Sequence, residues 1–246
     1  MFGWRSRKHI KPASVPEGCR IYAIGDIHGR SDLLDRLMGH IRRDAAGFSG
    51  TATLIFIGDY VDRGHDSKGV IDILLETRTE FAVRFLRGNH DQAMLNFLFD
   101  PGTYAGWRNI GGADTLLSYG VKPPDSDKPA TLRGARDGLA RAVPGAHMSV
   151  LNALEMSVEV GDYYFVHAGV RPGVPLDGQS AMDQMWIRDE FLNSDADFGK
   201  VVVHGHSPIR HPVRKPNRVS IDTGAYSSGK LTAVALEGTQ HRFLQS

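Results

Sequence analysis

The chain has 246 residues, 41% hydrophobic and 23% charged, an ordinary globular composition with enough apolar content for one large α/β domain or two small ones. A net charge of +1 gives no bulk electrostatic case for nucleic acid, and no apolar run approaches the ~18 residues of a membrane span. The single cysteine, Cys19, cannot form an internal disulfide, and no apolar segment follows the basic residues Arg5, Arg7 and Lys8 to make a signal peptide, so a cytoplasmic protein is expected.

Residues 1–18 hold Pro12, Pro16 and Gly18 without periodicity and read as an extension ahead of a domain spanning 19–246. Arg20–Ile24 is a short apolar run ending in Gly25-Asp26-Ile27-His28-Gly29. Two residues apart on extended backbone, Asp26 and His28 point the same way and suit one cation between them; an unrelated Asp and His in a turn is the plainer reading. Ser31 is expected to cap a helix whose Leu33, Leu34, Leu37, Met38 and Ile41 form a core-facing stripe. Leu54–Ile57 reads as a second buried strand, followed by Gly58-Asp59-Tyr60-Val61-Asp62-Arg63-Gly64. Two carboxylates and a guanidinium at a strand end are costly to bury unless they are paired or hold a metal. In open α/β sheets, ligands sit at the C-terminal ends of strands. Asp59 is therefore a candidate ligand, Asp62 a group supporting it, and Arg63 an anion clamp; a polar turn with a surface salt bridge is the alternative. Ser67 is expected to cap the next helix, which carries Val70, Ile71, Leu74 and Leu75.

Phe81–Leu86 reads as a third strand, ending in Arg87-Gly88-Asn89-His90-Asp91. The β-α-β-α-β order implies a sheet flanked by helices, and parallel neighbours would bring the three polar clusters to one edge. Residues 92–160 read as a mostly helical insertion, with a turn-like element at Trp107–Gly112 and a helix opened by Pro144. This insertion either roofs the site or packs plainly. Tyr163–Val166 ends in His167-Ala168-Gly169, and Val201–Val203 in His204-Gly205-His206-Ser207. His167 and His206 follow the same placement and are candidate ligands, whereas His204 reads as structural. Arg188 is either a surface charge or a second clamp. Val219–Thr223, Leu231–Leu236 and His241–Leu244 are expected to be closing antiparallel strands.

Asp26, His28, Asp59, Asn89, His167 and His206 are oxygen and nitrogen donors without a thiolate, a set that suits Mn, Fe or Zn. Six donors exceed one tetrahedral site and fit two adjacent ions bridged by one carboxylate. Such a pair clamps an in-line displacement at phosphorus and activates a water. Arg63 lies just beyond the turn, where a phosphate needs a two-point partner. His90, if within reach of Asp62, is the natural proton donor to a leaving alkoxide.

Taken together, the blocks at Gly25–Gly29, Gly58–Gly64, Gly88–Asp91, His167–Gly169 and Gly205–Ser207 resemble the signature blocks of metallophosphoesterases. More narrowly, they resemble the phosphoprotein phosphatase family, including its bacterial and bacteriophage-lambda-type serine/threonine phosphatases. The resemblance runs from about Arg20 to Gly224. It implies an α/β fold of the metallophosphoesterase type, a β-sandwich flanked by helices in α-β-β-α layers. It places Asp26 and His28 on a first metal, Asp59 as the bridge, and Asn89, His167 and His206 on a second. His90 becomes the general acid, paired with Asp62, and Arg63 and Arg188 become phosphate ligands. Pro208, where many other metallophosphoesterases carry a further metal-binding His, agrees with the phosphoprotein phosphatase branch. Asp91, in place of that branch's usual Glu, resembles the diadenosine tetraphosphatase relatives. Asp222 is expected to orient a ligand histidine. The resemblance implies a metal-dependent phosphomonoesterase of the serine/threonine protein phosphatase type, using a hydroxide activated by two divalent ions, manganese first among them. The alternative is hydrolysis of dinucleoside polyphosphates such as diadenosine tetraphosphate, and a third reading is a phosphate-binding scaffold with degenerate catalysis. The expected partner is a phosphoprotein or a small phosphate ester, with no role for nucleic acid or membrane.

Overall fold

A computed structural model describes residues 12–246; the basic residues Arg5, Arg7 and Lys8 lie outside the described residues. The first half of the chain runs β1 (Cys19–Ile24), α1 (Ser31–Ala45), β2 (Thr51–Phe56), α2 (Ser67–Thr77), β3 (Ala82–Phe85), α3 (Asn89–Phe99), α4 (Tyr104–Asn109), α5 (Gly112–Ser118), α6 (Pro129–Ala142) and α7 (Gly145–Asn152). It continues with β4 (Ser157–Val160), β5 (Tyr163–Val166), α8 (Ala181–Trp186), α9 (Asp189–Leu192), β6 (Val201–His204), β7 (Val213–Arg214), β8 (Arg218–Ser220), α10 (Ala225–Ser228), β9 (Thr232–Glu237) and β10 (Gln240–Gln245).

These strands form two five-stranded sheets, ordered β10-β9-β1-β2-β3 and β4-β5-β6-β8-β7. In the first, β1, β2 and β3 are parallel, in register from Cys19 opposite Thr51 and from Thr53 opposite Ala82. In the second, β5, β6 and β8 are parallel. The C-terminal halves of β1 and β2, and all of β5, are apolar and buried because both faces are covered there. Side chains alternate across a strand, so Ile21, Ala23, Ile55 and Ile57 meet Tyr163, Phe165, Val201 and Val203 between the sheets. Their neighbours Tyr22, Ile24, Leu54 and Phe56 face outward onto α1, α2 and the insertion helices. On the far side, Tyr164, Val166 and Val202 pack with Ile187 and Phe191. The layers are therefore helix, sheet, sheet and helix, as the resemblance implies. Burying a Leu, Ile or Phe side chain contributes about 1.5–3 kcal/mol, so the full stripe Leu33, Leu34, Leu37, Met38 and Ile41 anchors α1 firmly.

The structure differs from several local expectations. Ser31 and Ser67 are the first helical residues rather than the caps; Asp66 caps α2 by accepting from the Gly69 N–H at 2.9 Å, and it also receives the Ser31 hydroxyl at 2.6 Å. Trp107–Asn109 belongs to a helix, not a turn. The insertion is helical to Asn152 and closes with a strand, β4. β8 runs parallel to β6, not antiparallel, because the chain reverses through the short strand β7 before reaching it. Part of the segment read as an extension packs on the body. Ala13 and Val15 join the layer between the sheets, and the Val15 N–H donates to Gly238 O at 3.0 Å. No helix among the described residues is long and apolar enough to cross a membrane.

Candidate active site

The five motif blocks follow the C-terminal ends of β1, β2, β3, β5 and β6. Parallel pairing places the first three ends on one edge of the first sheet, and β5 and β6 present theirs from the second. Hydrogen bonds stitch the blocks together. The Ile27 and His28 N–H groups donate to Asp59 O at 3.1 and 2.9 Å, His167 Nδ1 lies 2.9 Å from Ile57 O, and the His206 N–H donates to the Asp26 carboxylate at 3.0 Å. Two glycines make the approach possible. A Cβ on Gly205 would overlap the Asp26 carboxylate, and one on Gly88 would overlap that of Asp59.

Two buried groups share Asp59: His28, Asp59 and His90, and Asp59, His167 and His206, with donor atoms in each within 4.8 Å of one another. Asp59 Oδ2 is 3.5 Å from both His28 Nε2 and His167 Nε2, while Asp59 Oδ1 accepts the His90 N–H at 3.0 Å. His28 Nδ1 is 3.0 Å from Val61 O, so each of His28 and His167 donates its Nδ1–H to a backbone carbonyl and turns the Nε2 lone pair inward, the arrangement of metal-ligating histidines. Asn89 Oδ1 and His206 Nδ1 lie 3.0 and 3.2 Å from His167 Nε2. His206 Nε2 is buried without a partner.

The electrostatics fit a cation. Burial drives His28 down to about 3 and His206 to about 2, and lowers His167, so all three rings are neutral donors near pH 7. Burial alone would raise Asp59, but the surrounding His167, His90 and His28 outweigh it and hold the carboxyl below its usual range. Asp26 is pushed well up by burial and by the charges of Asp222 and Asp59. Two neighbouring divalent ions match this set of carboxylates, imidazoles and one amide.

His90 differs from the other rings. Its Nδ1 lies 2.8 Å from Asp62 Oδ2, and its Nε2 faces the shared Asp59 at 3.9 Å. Burial lowers its pKa, but the carboxylates of Asp59 and Asp62 outweigh that and raise it, opposite to the direction of His28, His167 and His206. Asp62 is completely buried; it is raised by burial, against hydrogen bonds from His90, Thr115 and Trp107. Arg63 Nη1 is 3.3 Å from His28 Nε2, and its guanidinium stacks on the Tyr226 ring at 4.8 Å. Arg188 is exposed at the start of α9, its charge within electrostatic reach of His206, His167 and Asp222.

One expectation is corrected. The Asp222 carboxylate accepts from the Gly224 N–H at 2.8 Å and does not orient a histidine. Asp91 faces the scaffold: it accepts from the Gly88, Asp59 and Tyr60 N–H groups at 3.0, 2.9 and 3.0 Å and braces the turn that carries Asp59. His204 is structural, as expected, with Nε2 2.7 Å from Ser220 Oγ. The residues missed by the sequence reading are Trp107, Thr115 and Ser67, which surround Asp62, and the half-exposed rings of Trp186 and Tyr226, set edge-on to His206 and His28. A buried indole N–H needs an acceptor, so Trp107 inside an apolar helical segment was the available signal.

Two stacked sheets with two buried donor groups sharing Asp59 at the strand ends are an arrangement that suits a metal-dependent hydrolase of phosphate esters. The chain belongs to the calcineurin-like phosphoesterase family, whose family model matches residues 19–234. It is 24% identical over 233 residues to the asymmetrical bis(5'-nucleosyl)-tetraphosphatase PrpE of Anoxybacillus flavithermus, a match covering 86% of this chain and 88% of that protein. It is 32% identical over 114 residues to the serine/threonine-protein phosphatase PP1-1 of Saccharomyces cerevisiae, covering 45% of this chain and 33% of the yeast protein. The solved structure of a candidate diadenosine tetraphosphatase shares the fold, with a TM-score of 0.64 at 21% identity, over 96% of this chain and 99% of the other.

Proposed function

We propose that this phosphoesterase is a metal-dependent phosphomonoesterase acting on phosphoserine and phosphothreonine in proteins. The observation that carries the reading is the buried His90–Asp62 pair, with Arg63 beside it, set against two cation clusters that share Asp59. In this reading Arg63 and Arg188 hold the phosphate oxygens. Asp62 accepts the Nδ1–H of the His90 imidazolium, and the imidazolium gives its Nε2 proton to the leaving alkoxide, which leaves His90 as the neutral Nδ1–H ring. Asp26, His28 and Asp59 would hold one ion; Asp59, Asn89, His167 and His206 would hold the other. When bound, divalent ions polarise the phosphoryl oxygens and lower the pKa of the attacking water. The thiolate-free donor set supports manganese, iron or zinc, with manganese the ion to supply first. We assign the catalytic domain to residues 19–246. The lone Cys19, unpaired at the start of β1, supports a cytoplasmic setting.

A protein substrate is supported by the name of the yeast relative and by Pro208. A second reading, hydrolysis of dinucleoside polyphosphates, is favoured by the name of the Anoxybacillus relative. The Trp186 and Tyr226 rings, 42% and 40% exposed beside the clusters, also favour it because they offer stacking faces to a base. The two are separated by measuring kcat/KM for a phosphoserine or phosphothreonine peptide and for diadenosine tetraphosphate in one buffer with Mn. The peptide is expected to be the better substrate. An advantage of tenfold or more for the dinucleotide, ~1.4 kcal/mol of transition-state discrimination, replaces the first reading with the second.

A further inference from the structure

The Asp62 carboxylate is held from three sides. Besides His90, it accepts the Thr115 hydroxyl at 2.6 Å and the Trp107 indole N–H at 3.0 Å. Thr115 Oγ1 also accepts the backbone N–H of Asp62 at 2.9 Å, shared with Ser67 Oγ at 3.1 Å, so one hydroxyl binds both ends of the residue. One residue on, the Arg63 N–H donates to Gly111 O at 3.4 Å. Asp62 and Arg63 both have left-handed backbone, φ 73° and 68°, which L residues rarely adopt unless the surroundings impose it. Trp107, Gly111 and Thr115 come from α4, α5 and the link between them. Asp62, Trp107 and Thr115 are all buried, leaving no room for solvent to replace a lost donor.

We propose that the α4–α5 segment is neither a roof over the site nor plain packing but the positioning device of the proton donor. Trp107 and Thr115 fix the Asp62 carboxylate, and Asp62 in turn aims His90 Nε2 at the leaving oxygen and sets the Arg63 turn. This rests on the assignment of His90 as the acid. With only His90 to bind it, the carboxylate would turn about its side-chain torsions, and His90 would follow. A displacement of about 1 Å at a reacting group can cost ~10²-fold in rate.

Thr115→Val removes the hydroxyl at nearly constant shape, Thr115→Ser keeps it, and Trp107→Phe removes the indole N–H. Each is compared with the parent, with Mn, on a phosphoserine peptide, whose alkoxide needs a proton to leave, and on p-nitrophenyl phosphate, whose phenolate does not. Thr115→Val and Trp107→Phe are expected to lose about tenfold or more in kcat on the peptide, with KM little changed and a much smaller loss on the aryl ester. Thr115→Ser is expected to restore the peptide rate. His90→Asn is expected to show the same selectivity at ~10²–10⁴-fold. Equal loss on both esters in Thr115→Val, alongside a selective loss in His90→Asn, overturns the positioning role and leaves the acid assignment standing. Equal loss in His90→Asn overturns both. No turnover of either ester by the parent overturns the phosphatase reading and this inference with it. The sequence has three tryptophans, so the Trp107 indole N–H can be assigned as the proton resonance lost in Trp107→Phe. It is expected to shift in Asp62→Asn, and an unmoved resonance counts against the contact.

Discussion

Among the described residues, left-handed backbone outside glycine occurs at His28, Asp59, Asp62, Arg63 and His206, all of them in the candidate site. Each sits where a strand ends and the chain must turn within a residue or two to aim a functional group, so the strain is concentrated where geometry is most constrained. The identities of these residues were readable in the sequence, because Asp, His and Asn after glycine at successive strand ends have few other uses. Their backbone was not readable, since it is imposed by partners such as Thr115 and Asp91 that lie far along the chain. Asp59 is the position where the arrangement is least tolerant. Asp59→Asn keeps the shape but removes the charge that both clusters share. We expect a loss of more than about a hundredfold in activity, with fewer than two ions retained per chain after dialysis when metal content is measured. Full activity with two ions retained would remove Asp59 from the bridge.

At the scale of elements, short apolar runs ending in glycine or polar residues made β1, β2, β5 and β6 legible, and the helical stripe made α1 legible. β7, two residues long, and the direction of β8 were not, because both follow from how the second sheet closes rather than from any local periodicity. One node ties elements distant in sequence. Asp44, at the end of α1, accepts from Tyr22 of β1 at 2.5 Å and from the Arg242 guanidinium of β10, through Nε at 3.0 Å and through Nη2. Burial would raise its carboxyl, but Arg242, Tyr22 and Arg20 outweigh that and hold it below 3.8. A carboxyl lowered in the folded state stabilises above its unfolded pKa and loses that contribution as pH falls through the folded value. Asp44→Asn is therefore expected to cost about 1–2 kcal/mol in urea unfolding, equally at about pH 7 and about pH 5, with the difference shrinking by about pH 3. A cost that persists undiminished at the lowest pH would point to lost packing rather than lost charge.

For the whole molecule, the first sheet was visible as a β-α-β-α-β rhythm, while the second sheet came only from the family resemblance, its strands being short and widely spaced. The candidate ligands divide between the two: Asp26, His28, Asp59 and Asn89 follow strands of the first sheet, and His167 and His206 follow strands of the second. The ion assigned to Asp59, Asn89, His167 and His206 is held by both sheets and should therefore bind the folded chain and not the unfolded one, adding RT ln(1 + [L]/Kd) to its stability. Saturating Mn is expected to raise Tm by several degrees, ~2.7 kcal/mol at a hundred times Kd, and a chelator to reverse the shift. The gain should shrink in His206→Ala, which weakens one of the two sites, measured by calorimetry without any substrate.

The same division has a consequence for synthesis. The Asp26 carboxylate and the His206 N–H that binds it are 180 positions apart. A nascent chain emerging from the ribosome carries its first four candidate ligands early, yet it has no complete centre until β6 and the turn after it have been made. Phosphate-ester hydrolysis would thus be withheld from every partial product that ends before His206, and the first turnover would await packing of β5 and β6 against the first sheet.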